Sequence, residues 1–128
     1  MLTDKRNPLY TEFREYIEPD SVRAVYDILI GAAAAIPGLS CGPERKGAVR
    51  DFRFYSEPPE QPFAFIINQR SLLFYLRQPA VRSKLWSLAK LENQFSEVNE
   101  NNAGEWTIKI YDRLEAVGIV EEVLNVWR

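Results

Sequence analysis

The chain has no histidine. That removes the commonest general base and the commonest metal ligand at one stroke. It has a single cysteine, Cys41, so no disulfide can form within the chain. One thiol fits a reducing compartment. A nucleophilic cysteine needs a base, and with no histidine to serve it Cys41 reads as a bystander thiol. No apolar run approaches the roughly 20 residues of a membrane span. The longest smooth stretch, Ile28 to Ile36, is alanine-rich and contains Gly31. The first six residues, Met1 to Arg6, are charged and lack the apolar core of a signal peptide. The expected location is therefore the cytoplasm, with no membrane partner. No glycine-rich phosphate loop is present, the glycines being isolated turn or helix-end residues. The formal net charge is only −2, which gives no global pull toward nucleic acid or an anionic membrane. No cofactor or metal is expected, and no feature sets the oligomeric state.

What is present is an ordinary globular balance. The 128 residues are 46% hydrophobic and 27% charged, enough for one domain over residues 1–128 with a single core. The chain is organised around Pro62 to Arg77. Two apolar runs rich in aromatic and branched residues flank a polar break at Asn68, Gln69, Arg70 and Ser71. That pattern predicts a hairpin near the middle of a sheet.

Elements on either side follow from spacing. Leu9, Phe13, Tyr16 and Ile17 predict a short helix from about Pro8 to Ile17. Asp20 and Ser21 are N-cap residues for a second helix, whose stripe is Val22, Val25, Leu29, Ala33 and Ile36. Pro37-Gly38 stops it, and Pro37 to Gly47 reads as loop. Val49 to Tyr55 alternates as a strand, with Phe52 and Phe54 pointing one way and Asp51, Arg53 and Tyr55 the other. Ser56 to Pro62, with three prolines, is a surface connection. Val81, Leu85, Leu88 and Phe95 predict one helix from about Ala80 to Phe95. Asn99 to Gly104 is a polar loop. Trp106, Ile108 and Ile110 alternate with Thr107, Lys109 and Tyr111 as a fourth strand. Asp112 and Glu115 have capping-box chemistry, opening a last helix with Leu114, Val117, Val120, Val123, Leu124 and Trp127 on its apolar side. Strands grouped between helices predict an α+β fold, a mainly antiparallel four-stranded sheet with helices packed on it.

Four segments carry a resemblance: Ile36-Pro37-Gly38, Phe63-Ala64-Phe65, Leu72-Leu73-Phe74-Tyr75, and Gly104 to Ile110. In order and spacing, over roughly residues 20 to 127, the chain resembles the YdhG-like group of small domains of unknown function. The resemblance implies a compact α+β fold and no enzymatic activity. It supplies no catalytic residues.

Few constellations suggest chemistry. Pro19-Asp20 with Glu44-Arg45-Lys46 has the letters of a metal-dependent nuclease. The expected positions, a helix start and a turn, make them a cap and a solvated loop instead. Glu57, Glu60, Glu97, Glu100 and Glu105 fall mostly in predicted loops and are expected to be solvated. One constellation survives. If Phe52, Phe54, Phe63, Phe65, Trp106, Ile108 and Ile110 face the helices, the opposite face shows Arg53, Tyr55, Tyr75, Arg77, Lys109 and Tyr111, with Ile66 and Leu73 between them. Such a face suits a protein partner, since Tyr and Arg are favoured interface anchors. It also suits bases and phosphates. A helix lying over it, with the cations at its rim, is the structural alternative. The expected function is that of a small non-enzymatic protein binding another macromolecule, by preference a protein, as a regulator, immunity protein or inhibitor does. A nucleic-acid-binding module is the alternative, weakened by the net charge. An enzyme or small-ligand binder with a site in the Pro37 to Gly47 loop is third.

Overall fold

The computed structural model describes residues 1–56 and 60–127. Glu57 and the middle of the Ser56 to Pro62 connection lie outside the described residues. Two helices open the chain, α1 (Leu9–Tyr16) and α2 (Asp20–Ala35). Phe13 and Ile17 are fully buried, as are Val25, Leu29 and Ala33 on the α2 stripe. The cap of α2 is not a polar side chain: Pro19 holds that position and makes no side-chain bond. Asp20 sits instead in the first turn, where its charge favours the positive end of the helix.

Six antiparallel strands follow: β1 (Ser40–Lys46), β2 (Val49–Tyr55), β3 (Phe63–Ile67), β4 (Leu72–Leu76), β5 (Val98–Glu100) and β6 (Trp106–Ile110). Their order across the sheet is β1-β2-β3-β4-β6-β5. The hairpin from Phe63 to Leu76 and the strand from Val49 to Tyr55 are where the alternation places them. The four-stranded expectation is corrected at both edges. β1 was expected as loop because it carries Gly42, Pro43 and few apolar residues. It forms because its backbone is held on both sides. All seven of its residues pair with β2, and Met1 to Thr3 line its outer side through the Leu2–Cys41 bridge. A side chain at residue 42 would run into Thr3, since a Cβ there would lie 2.0 Å from the Thr3 hydroxyl, so glycine is what lets this segment close in. Gly47, at φ +60°, makes the tight turn into β2. β5 is a three-residue edge strand pairing Val98 with Ile108 and Glu100 with Trp106.

The single helix expected over 80–95 is two short ones, α3 (Gln78–Arg82) and α4 (Leu88–Gln94). Serines cause the break. The Ser83 hydroxyl bonds the Ala80 carbonyl and accepts from the Leu85 N–H, and Ser87 caps α4 by accepting from the Lys90 N–H. Such local bonds compete with helix continuation. Lys84 adopts φ +66° between them, and Leu85 is consequently exposed. The last helix, α5 (Arg113–Ile119), runs into a π-helical turn over Val120–Leu124. Asp112 caps it, accepting from the Glu115 N–H at 2.9 Å. Its buried residues are Ala116, Ile119, Val123 and Leu124, whereas Leu114 is 82% exposed. Val123 and Leu124 are buried as expected, but the face that leads to them runs through Ala116 and Ile119, which leaves Leu114 and Val117 toward solvent.

The core lies between the helices and one face of the sheet. Phe52, Phe65, Phe74 and Ile108 occupy one row across four strands, all fully buried. Phe52 stacks on Phe65 at 4.7 Å, and Tyr26 of α2 meets Phe65 edge-on. Tyr10 of α1 contacts Phe52, and Trp86 and Trp127 contact Phe63. Each such side chain contributes about 1.5–3 kcal/mol by leaving water.

Candidate functional site

Strand side chains alternate, so the residues between those phenylalanines form a second face. Register fixes its rows. One runs Glu44, Asp51, Ile66, Leu73, Lys109 across β1, β2, β3, β4 and β6. The next runs Gly42, Arg53, Ala64, Tyr75, Thr107 across the same strands. Beyond it, Tyr55 ends β2 and Arg77 follows β4. Among the described residues, every ring contact between a helix and the sheet falls on the phenylalanine face. Arg53, Tyr55, Ile66, Leu73, Tyr75, Arg77 and Lys109 stay partly exposed. Five of the six expected site residues therefore share one face. Tyr111 follows the end of β6, where its hydroxyl donates to Glu97 at 3.0 Å and its ring lies 5.8 Å from the Lys109 ammonium.

The charges differ from what composition suggested. Arg53 is not a free cation. Its Nε donates to Asp51 Oδ2 at 2.6 Å and lies 3.7 Å from Glu44. Arg77 Nε donates to Glu105 Oε2 at 2.9 Å. Both guanidinium groups also donate to one acceptor, Gln61 Oε1. Glu105 is oriented by Asn101, which donates to it at 3.1 Å. The expectation of a solvated loop carboxylate fails for Glu105, whose side chain is only 13% exposed. Glu100 lies on β5 and not in a loop. Lys109 makes no ion pair among the described residues.

The tyrosines are donors here. Burial, then the bond to Glu44 at 2.5 Å, push the Tyr55 phenol up to about 12. Burial and the carboxylates of Glu105 and Asp51 raise Tyr75 as well. Both phenols stay protonated near neutral pH.

Sequence reasoning put Asp51 on the same side of β2 as Arg53 but missed Glu44 and Glu105 on this face. Glu44 to Lys46 lie on β1, not in a turn, and Glu44 sits directly across from Asp51. Asp20 is not brought to them; it stays exposed at the start of α2, 3.8 Å from Arg23. Asp51 is 4% exposed, and its Oδ1 has no partner. The Asp51/Glu44 pair is already occupied by a guanidinium, which is where a cation would have to sit. Among the described residues no three carboxylate, cysteine or histidine side chains gather as a metal site. Cys41 is fully buried on β1, and burial pushes its thiol up to about 11. It has almost no thiolate character at neutral pH.

A separate hollow lies at the C-terminal end of α2. Two adjoining clefts of about 560 Å³ and 940 Å³ share Ala35, Ile36, Pro37 and Trp127. Ala34 and Ala35 line it, while Ala33 is buried in the core. Its titratable side chains among the described residues are Tyr55, at the edge of the second sheet face, and Glu60.

No family model matches the chain, and neither a curated protein nor a solved structure does.

Proposed function

We propose that this is a small non-enzymatic cytoplasmic protein that works by binding another protein through the second sheet face, in the manner of a regulator, inhibitor or immunity protein. The observation that carries the reading is the layout of that face. Ile66, Leu73 and Tyr75 form an apolar centre, and Glu44, Arg53, Arg77 and Lys109 form a charged rim, with Asp51 buried beneath Arg53. An apolar centre inside a polar rim is the anatomy of a protein interface. Tyr and Arg are the residue types that carry most interface energy. Pre-paired arginines also favour this reading over a polyanion, which would have to displace Asp51 and Glu105. No helix among the described residues is long and apolar enough to cross a membrane.

The test is Leu73→Glu, a charge in the centre of the face, with Leu114→Glu as the control on the helix side. Leu73→Glu should lose a protein that co-purifies with the wild type, with an unchanged melting temperature, and Leu114→Glu should keep it. Retention by Leu73→Glu overturns the reading. Lys109 and the tyrosines support nucleic acid as a second reading. Its signature is binding to a single-stranded oligonucleotide that collapses between about 50 and 200 mM salt.

A further inference from the structure

The rows of the second face have a property that a random patch lacks. β3 is their midline, with β1 and β2 on one side and β4 and β6 on the other. In the first row the acids Glu44 and Asp51 lie on one side of Ile66, and Lys109 lies on the other. In the second, Arg53 and Tyr75 flank Ala64. In the third, Tyr55 lies on the β2 side and Arg77 on the β4 side.

We propose that a second copy of this chain docks on this face, the two sheets packed face to face about a two-fold axis parallel to the strands and centred over β3. This rests on the reading of the face as protein-binding and names the partner. The operation reverses each row. Glu44 then faces Lys109 of the second copy, and Arg53 faces its Tyr75. Tyr55 faces its Arg77, Ile66 meets its own counterpart, and Leu73 of the second copy covers Asp51, which Arg53 already pairs. Each dimer holds two of every unlike pair. Asp51 and Glu105 each engage a guanidinium at its Nε edge, and a ring stacks on the planar face of such a group. The other in-plane axis, across the strands, lays each strand on its own copy: over the first row it sets Glu44 on Glu44 and Lys109 on Lys109, and over the second it sets Arg53 on Arg53. Like charges directly opposed are unfavourable, so charge selects the first arrangement.

Geometry sets the strength. Five strands about 4.8 Å apart and three rows about 6.8 Å apart give a flat footprint of roughly 500 Å². That is below the roughly 800 Å² per partner of a standard interface, so the dimer is a weak one. Facing sheets stand about 10 Å apart. Glu, Lys, Arg and Tyr side chains span that gap.

Sedimentation up to several hundred micromolar measures the dimer. Glu44→Lys and Lys109→Glu should each weaken it by about tenfold or more, and the two together in one chain should restore it, since each new lysine again faces a glutamate. A variant that misfolds does not decide the matter, because linkage gives a second measurement. Ile66→Cys should be joined to itself by a short bismaleimide, while Leu114→Cys, on the helix side, should not; buried Cys41 stays silent. A wild type that sediments as a monomer throughout overturns the proposal, as does a double variant no stronger than the singles, or equal linkage at both cysteines. If the chain is a monomer and Leu73→Glu still sheds a co-purifying protein, the dimer falls and the protein-binding reading stands. If Leu73→Glu changes neither, both fall.

Discussion

Three arginine–carboxylate pairs with the same chemistry sit at three depths, which makes burial testable as the variable that decides their worth. Arg53 and Asp51 are 16% and 5% exposed, Arg77 and Glu105 are 30% and 13%, and Arg70 and Glu18 are 74% and 52%. Their closest distances are 2.6, 2.9 and 2.9 Å, so geometry does not separate the last two. An exposed pair is worth about 0–1 kcal/mol because water and salt screen it. Removing one partner of a buried pair costs about 3–5 kcal/mol, since the other charge is left without compensation.

Arg53→Leu strips Asp51 Oδ2 of its partner, beside an Oδ1 that already has none. It also leaves Asp51 facing Glu44 across β1 and β2 with no cation between them. The expected cost is about 3–5 kcal/mol. Arg77→Leu should cost about 1–2 kcal/mol, because Glu105 keeps its bond from Asn101. Arg70→Leu should cost less than about 0.5 kcal/mol. At 128 residues, 1 kcal/mol shifts the melting temperature by about 4 °C. Thermal melts followed by circular dichroism should therefore drop by roughly 10–20, 4–8 and under 2 °C. Asp51→Leu combined with Arg53→Leu should recover most of the first loss, since a buried pair can be replaced by apolar side chains at little cost. An Arg53→Leu melt within about 2 °C of wild type would refute the reasoning. Arg53 would then be a loosely held cation, and the nucleic-acid reading would gain what the protein reading loses.

The core makes a sharper contrast. Phe65→Ala, which removes a fully buried ring stacked on Phe52, should cost about 3–5 kcal/mol, whereas Leu114→Ala should leave the melt unchanged. The Tyr55 phenol should ionise near pH 12 in an ultraviolet titration, and Glu44→Gln should bring it toward its ordinary value of 10. Its raised folded value contributes stability that is complete below pH 10 and lost as pH climbs through 12, so alkaline unfolding should soften in that window in the wild type and less in Glu44→Gln.

The parts of the fold legible in the sequence are those where side chains alone dictate the backbone. Phe52 and Phe54 alternate with Asp51 and Arg53, and the two runs of the Pro62 to Arg77 hairpin are apolar enough to be central strands. The parts that were not legible are held by backbone. Ser40–Lys46 has no apolar alternation, and its strand character comes from the β2 ladder on one side and Met1 to Thr3 on the other. A single-sequence pattern does not register partners of that kind. The break at Ser83 to Ser87 was visible as two serines, but Leu85 and Leu88 at helical spacing outweighed them. In the last helix Val123 and Leu124 were legible as core, but the larger Leu114 and Val117 were read as the inner face where Ala116 and Ile119 take that place.

The candidate site divides along the same line. Parity along each strand was enough to gather Arg53, Tyr55, Tyr75, Arg77 and Lys109 on one face. It also put Asp51 beside Arg53, but it did not find Glu44, which the register of a strand expected to be loop sets across from Asp51, or Glu105, which arrives from the residue before β6. Counting letters on predicted strands gave three cations and three tyrosines, the look of a surface for polyanions. With Glu44 and Glu105 added to Asp51, the same face carries three carboxylates. Three against three leaves no net charge to hold a phosphate backbone, and most non-specific affinity for nucleic acid comes from that term. What such a face keeps is a pattern, in its first row acid on the β1 side and cation on the β6 side of Ile66, and a pattern of opposite signs is met best by a surface that carries its reverse.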